Sequence, residues 1–273
     1  MPALLSEHKL PPIVEVMGLP VRSLLVDELI ELVVRRARAG RRTRIGYCNA
    51  HTTNMAQDDA QLNADLAAMD ILYADGAAIV WASQLGEHAL PERMTAAAFF
   101  NTFIEKAAAA DLKLFLLGGE SGIAATAAIS MQAVDERVRI AGTHHGFFDD
   151  ASNARVIELI NEAAPDVVLV GLSTPRQERW VQQHGDQIHA PILWCVGALF
   201  DYYAGQEQRG PSWLCDHGGE WLYRLWEDPA GKWKRYLLGN PLFVGRAAKW
   251  GWERRRQVHA TKDDSTNSLG GDA

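Results

Sequence analysis

Short apolar runs recur through the first two hundred residues of this 273-residue chain, and a stretch with helical periodicity follows nearly every one. Six of the runs read as strands: Arg44–Cys48, Ile71–Tyr73, Lys113–Leu117, Val138–Ala141, Val167–Val170 and Ile192–Val196. Several are apolar on both faces, which suits central parallel strands covered by helices on either side. Helical patterns lie between them, over Leu25–Ala39, Asn54–Leu66, Ala77–Leu85, Ala96–Ala110, Ile123–Ala133, Ala151–Ala163 and Arg176–His184. Strand–helix alternation over some 160 residues predicts an α/β fold with a doubly wound, mostly parallel sheet. A further short segment, Val14–Leu24, is expected to form a hairpin ahead of it.

After Asp201 the pattern changes. Strand signals stop, and Trp213–Trp252 reads as two or three helices broken at Pro229 and Pro241. The expected division is a sheet domain over residues 1–201, a helical appendage over 202–256 and a polar, disordered tail over 257–273. The appendage is too short to bury a core of its own, so it must pack on the sheet domain, a partner or a membrane. Six of the nine tryptophans lie between Trp213 and Trp252, and residues 221–256 carry a net charge of +6 on a chain of net −7. Amphipathic rings beside Lys and Arg suit an anionic membrane interface. A Trp-rich cap over the core with solvated basic tips fits the same composition. The acidic remainder of the chain speaks against nucleic acid as a partner.

No apolar run reaches the roughly 18 residues that a membrane span needs, and the N-terminus lacks the pattern of a secretory signal. Three scattered cysteines, Cys48, Cys195 and Cys215, point to a reducing compartment and away from a disulfide framework or a zinc site.

In open α/β sheets ligands bind beyond the C-terminal strand ends, so the residues following each strand are the ones that matter. Asp75-Gly76, Gly118-Gly119, Gly142-Thr143-His144-His145, Gly171 through Gln177, and Gly197 through Asp201 occupy five such edges. Glycine at every edge fits a phosphate or nucleotide site built from backbone N–H groups and helix N-termini. Gly118-Gly119 also fits a plain tight turn, and it lacks the leading half of a dinucleotide fingerprint. Adjacent His144 and His145 have no further ligand at metal spacing, and no Asp-x-Asp stands in a strand-end loop, so no metal site is expected. Asp75 follows an apolar strand and opens a helix, where it serves either as a helix cap or as a general base facing a ligand. Arg93 can pair with Asp75, with a phosphate or with a surface acid, and Gln177 can meet a polar ligand group or face solvent.

Taken together these blocks resemble the WecG/TagA/CpsF family of bacterial glycosyltransferases, the N-acetylmannosaminyltransferase type. The likeness runs over roughly residues 14–250, through Cys48-Asn49-Ala50, Ala74-Asp75-Gly76, Pro91-Glu92-Arg93, Phe115 through Gly119, Gly142 through Phe148, Gly171 through Trp180, Gly219 through Leu225, Arg235-Tyr236-Leu237 and Gly239-Asn240-Pro241. The resemblance implies an inverting, metal-independent transfer without cofactor. The sugar would pass from a UDP-sugar (UDP-N-acetylmannosamine, its uronic acid or another UDP-hexose) to a polyprenyl-diphosphate-linked sugar, in envelope or exopolysaccharide synthesis. The enzyme would lie peripherally on the inner face of the cytoplasmic membrane. Apart from the resemblance, apolar helices without a bilayer often pair, so a homo-oligomer is a further expectation. The same resemblance implies Asp75 as base, Arg93 and Gln177 as pocket residues, Asn49 as the first strand-end contact, and C-terminal arginines (Arg209, Arg224 and Arg235, with Arg246 a further candidate) facing the diphosphate. Gly118, Gly119, His144, Gly171, Thr174, Gly197 and Asp201 are then the expected substrate-binding edge.

The chain also departs from the family pattern. Tyr47 stands where a small hydroxyl residue is common, Thr95-Ala96-Ala97-Ala98 replaces Thr-Gly-x-Asp, and Arg209-Gly210-Pro211 replaces Arg-Ala-Pro. These positions fringe the expected pocket, so the sugar transferred is open, and a non-catalytic scaffold that binds UDP-sugar is the competing expectation.

Overall fold

The structure, a computed structural model, describes residues 10–206 and 219–268. A hairpin comes first, β1 (Ile13–Val16) against β2 (Leu19–Arg22), with positive φ at both Met17 and Gly18 in the two-residue turn. That backbone matches the right-handed twist of paired strands. The sheet domain follows as α1 (Val26–Arg38), β3 (Thr43–Cys48), α2 (Ala50–Asp58), α3 (Ala60–Ala67), β4 (Ile71–Ala74), α4 (Ala77–Ser83) and α5 (Ala96–Ala109). It continues as β5 (Lys113–Gly118), α6 (Ile123–Val134), β6 (Arg139–His144), α7 (Asn153–Ala163), β7 (Val167–Gly171), α8 (Arg176–His184), β8 (Ile192–Cys195) and α9 (Leu199–Tyr203). All six expected sheet strands form, and they pair in parallel in the order β4-β3-β8-β7-β5-β6.

Two apolar layers sandwich this sheet. One holds α1, α5 and α6 around Phe100, Phe103 and Trp194; the other holds α3, α7 and α8 around Leu66, Ile160 and Trp180. β3 and its neighbour β8 send the chain to opposite layers, because Leu199 and Phe200 of α9 join the first while Ala56 of α2 joins the second. Divergence of adjacent connections opens a crevice at the strand ends, and the site lies there.

The single helix expected over Asn54–Leu66 is two helices. Asp59 divides them, accepting the backbone N–H groups of Gln61 and Leu62 at 3.0 Å each and so starting α3 anew.

The C-terminal segment forms α10 (Glu220–Glu227), α11 (Pro229–Trp233), a π-helical turn (Lys234–Leu238) and α12 (Gly239–Ser268). Pro229 starts a helix, as expected of a residue suited to the first turn. Pro241 does not break one: it sits in the first turn of α12, directly after the π-helical turn. The wider turn absorbs the missing N–H and the bulk of the proline ring, which a regular helix would not accommodate. α12 continues to Ser268, into the segment read from composition as a polar tail. It docks on the sheet domain through buried Phe243 and Ala247. Asn54 Nδ2 donates to the Gly239 carbonyl at 2.8 Å, and Arg254 pairs with Glu15 at 2.7 Å.

Candidate active site

The site grows from two strand ends. Asn49, the first residue after β3, caps α2: its Oδ1 accepts the backbone N–H groups of His51 and Thr52, both at 3.0 Å. Thr52 Oγ1 accepts the Asn49 N–H at 2.8 Å in return. With its oxygen committed to the helix, the Asn49 amide has one orientation, and its nitrogen donates to Asp75 Oδ2 at 3.1 Å. Backbone fixes Asp75 as well. Its N–H donates to the Cys48 carbonyl at 2.8 Å, and it pairs with Met94 in an isolated parallel bridge. Gly76 donates to the Met94 carbonyl at 2.7 Å with φ +88°, a left-handed value that favours glycine over any side chain. The segment 91–95 is thereby drawn against the end of β4. Glu92 Oε2 accepts the N–H of Val26 at 2.8 Å, tying Glu92 to the start of α1, while the next residue, Arg93, lines the cleft.

Two cavities meet at this point. The outer one, about 480 Å³, has Asn49, His51, Asp75 and Arg93 on its floor and Trp221, Arg235, Tyr236 and Phe243 as its roof. The inner one, about 100 Å³, lies among Tyr47, Tyr73, Ala96, Ala97, Leu199 and Tyr202 at the ends of β3, β4 and β8. Both cavities touch Asn49, Asp75, Thr95 and Arg235, which places the Asp75 carboxylate at the passage between them. Arg235, on the π-helical turn, leans on the Tyr236 ring at 5.5 Å, and its Nε has no hydrogen-bond partner among the described residues. Burial, and then the Arg235 charge, lower the pKa of His51 to about 4, so this imidazole is neutral near pH 7.

Behind the inner cavity stands a buried polar cluster. Gln177 is fully buried on the first turn of α8; its Oε1 accepts the Gly197 N–H at 3.0 Å and its Nε2 donates to Glu178 Oε1 at 2.8 Å. Thr174 Oγ1 donates to the same Glu178 oxygen at 2.9 Å. The Tyr47 hydroxyl lies 3.4 Å from Gln177 Nε2. Burial, then the neighbouring Glu178 and Asp75 carboxylates, push the Tyr47 phenol well above its usual range, so it stays protonated. Burial also raises the Glu178 carboxyl, whose Oε2 has no partner among the described residues.

The expected residues therefore separate into groups. Asn49, Asp75, Arg93 and Arg235 come together around one cavity. Gln177 sits one layer behind it, holding the Gly197 N–H, and Thr174 stands beside it, donating to Glu178. Asp201 lies in the first turn of α9, beside the cavity-lining Tyr202. Gly118 and Gly171 face each other on paired strands, and a Cβ on Gly118 would collide with the Gly171 backbone. Their glycines serve close strand-end packing, and neither lines the cavities at Asp75. Gly119, with φ +69°, and a Cβ there would meet Ile123, turns the chain into α6. His144 ends β6, five strand spacings from β4, roughly 24 Å. There its Nδ1 lies 2.7 Å from the His145 carbonyl, over a shallow hollow with Phe147, Phe148 and Arg176. Arg246 does not face the cleft set: it clamps α12 to α2, through the Asn54 carbonyl at 2.8 Å and Asp58 at 2.5 Å. Arg224 lies on α10, and Arg209 lies outside the described residues. Sequence reasoning missed His51, Trp221, Tyr236, Phe243 and Glu178. His51 carried a readable signal, two residues past a strand-end asparagine; Trp221 and Tyr236 lie within blocks that carry the family resemblance, while Phe243 carried no signal beyond its aromatic character. Among the described residues no three His, Cys, Asp or Glu side chains gather as a metal site would require.

The sequence pattern of the family described as Glycosyl transferase WecG/TagA/CpsF matches residues 14–257. The chain is also similar to the N-acetylglucosaminyldiphosphoundecaprenol N-acetyl-beta-D-mannosaminyltransferase of Staphylococcus aureus strain MW2. The two are 29% identical over 180 residues, 65% of this chain and 68% of the relative. The protein of the same name from strain NCTC 8325 / PS 47 matches at the same identity and coverage.

Proposed function

The chain belongs to the WecG/TagA/CpsF family of glycosyl transferases, and from that premise we propose that it moves an N-acetylmannosamine-type sugar from a UDP donor to a polyprenyl-diphosphate-linked N-acetylglucosamine, with inversion and without a metal. The observation that carries the reading is the Asp75 carboxylate, aimed by Asn49 into the passage between two cavities and roofed by Arg235.

In the reaction, the Asp75 carboxylate takes the proton of the attacking acceptor hydroxyl. That oxygen bonds to the anomeric carbon as the bond from this carbon to the diphosphate oxygen breaks, and UDP leaves with the electron pair. One base and in-line attack account for inversion. Charge gathering on the departing diphosphate is met by Arg235 and Arg93, with Arg209 and Arg224 as further candidates.

The acceptor's lipid favours an approach from the C-terminal helices. There Trp226 (78% exposed), Leu237, Leu238 (59%) and Trp252 turn apolar surface to solvent, beside exposed Lys234, Lys249, Arg255 and Arg256. No helix among the described residues is long and apolar enough to cross a membrane. The outward apolar and basic groups suit docking on an anionic, inner-leaflet surface.

The test is a transfer assay with UDP-sugars, a short polyprenyl-diphosphate-N-acetylglucosamine and EDTA, read by mass spectrometry. A disaccharide lipid that forms in EDTA and disappears with Asp75→Asn supports the reading. Undiminished turnover by a folded Asp75→Asn protein ends the base assignment, and loss of product with EDTA ends the metal-free mechanism.

A further inference from the structure

Tyr47 is a large side chain in a confined place. It projects from the end of β3 into the crevice between β3 and β8, with its ring centroid 6.2 Å from that of Tyr73 and its hydroxyl beside Gln177. The residue facing it across the crevice is Gly197, at φ +57°, where a Cβ would collide with the Tyr47 hydroxyl. Gln177 binds both, the hydroxyl through Nε2 and the Gly197 N–H through Oε1. The phenol is therefore held as a fixed wall, and it is one of the walls of the inner cavity.

The size of that cavity decides what it can hold. At about 100 Å³ it is roughly a fifth of the outer cavity's 480 Å³. It suits a ring substituent such as an acetamido or hydroxymethyl group, with the rest of the sugar at the mouth that the two cavities share. Apart from Asp75, Asn49, Thr95 and Arg235 at the mouth, the lining is tyrosine, alanine, valine and leucine. Such a surface accepts a small uncharged group with a methyl end. The outer cavity, roofed by Trp221, Phe243 and Val244, is the larger and more apolar approach and suits the lipid-linked reactant.

We propose that the inner cavity receives a ring substituent of the donor sugar, and that Tyr47 is the specificity-determining residue that sets how large this substituent can be. The inference rests on the glycosyl-transfer reading above and adds to it the group selected and the residue that selects it. Tyr47 works with Ala96 and Ala97 as the opposite wall. Gln177 and Glu178 act as positioning residues behind it.

The experiment uses the full chain and UDP-hexosamines N-acylated with acetyl, propionyl or butyryl groups. The readouts are kcat and KM for each donor, and donor affinity by calorimetry. For the unaltered protein, kcat/KM falls about 100-fold or more from acetyl to butyryl, since butyryl carries two more methylenes and each ill-fitting one costs about 10-fold or more. Tyr47→Ser flattens the series to within about threefold, mainly through KM, whereas Tyr47→Phe, which keeps the ring, retains the fall. An unchanged series in Tyr47→Ser, or no chain-length preference in the unaltered protein, overturns the proposal. Should Tyr47→Ser fail to fold by thermal melting, Ala97→Leu narrows the cavity from the other side; a steeper series supports the proposal and an unaltered one overturns it. Should the unaltered protein transfer no sugar at all, the glycosyl-transfer reading fails. The affinity series then still tests the cavity: acyl-length discrimination lost in Tyr47→Ser sustains the wall, and its persistence removes it.

Discussion

The floor and the roof of the cleft are made by different means. The floor, from β3, β4 and residues 91–95, is set by backbone hydrogen bonds: Asp75 to Cys48, Gly76 to Met94, and the Asn49 cap that aims an amide at the carboxylate. The roof, from α10 to α12, is held by side chains: Phe243 and Ala247 in the second apolar layer, the Arg246 clamp, and the Asn54 contact to Gly239. Backbone pairing fixes atoms to fractions of an ångström, as a proton transfer requires. Helices docked by side chains deliver charge and an apolar outer face, for which position matters less. Under the proposed function, chemistry belongs to the floor, and diphosphate neutralisation and membrane contact belong to the roof.

The largest effect belongs to the floor. Asp75→Asn is expected to lower kcat about 10³-fold with little change in vesicle binding; a parallel loss of both would dissolve the division. Next, Arg235→Ala is expected to lower kcat/KM about 10²-fold through lost charge at the leaving diphosphate, measured with UDP-sugar in steady state. A loss as large as that of Asp75→Asn would move chemistry onto the roof. Replacing Trp226, Leu237 and Leu238 together by Ser is expected to reduce cosedimentation with anionic vesicles about tenfold, while turnover on a water-soluble acceptor analogue persists. Deleting the helices instead would confuse the result, because it strips Phe243 and Ala247 from the core.

The smallest effect concerns the support behind the floor. Burial raises the Glu178 carboxyl in the folded chain, so the folded state holds its proton to higher pH than the unfolded state does. The stability this proton contributes is present below the unfolded carboxyl value and is lost as pH rises through the folded one. Glu178→Gln keeps an acceptor for Gln177 and Thr174 and does not titrate. Its melting temperature should exceed that of the unaltered protein by about 2–4 °C at pH 8, with the gap closing towards pH 4. A gap independent of pH would remove Glu178 as the titrating group.

Much of the floor was legible before any coordinates. Asp75-Gly76 after an apolar strand gives both the carboxylate and the backbone turn, and Asn49 before Ala50-His51-Thr52 gives the cap. Elsewhere local signals misled. Gln177 looked like a pocket residue because α8 begins at a strand end, yet its amide is consumed by Gly197, Glu178 and Tyr47. The glycines at 118 and 171 look like a phosphate cradle in sequence, and the packing of strand ends is what excludes a Cβ there. Asp59 split an unbroken helical pattern by capping, and Pro241 was absorbed by a π-helical turn.

The sequence by itself determined the alternation of elements, the parallel sheet and the carboxylate that stands at the end of β4. Each follows from periodicity and turn chemistry acting over a few residues. Only the tertiary structure decided that β8 lies beside β3, which brings Tyr47 against Gly197 and makes the inner cavity, and that Arg235 rather than Arg246 faces Asp75. Strand order and helix rotation join residues more than a hundred positions apart, and burial summed over the whole core selects them, which no local pattern records.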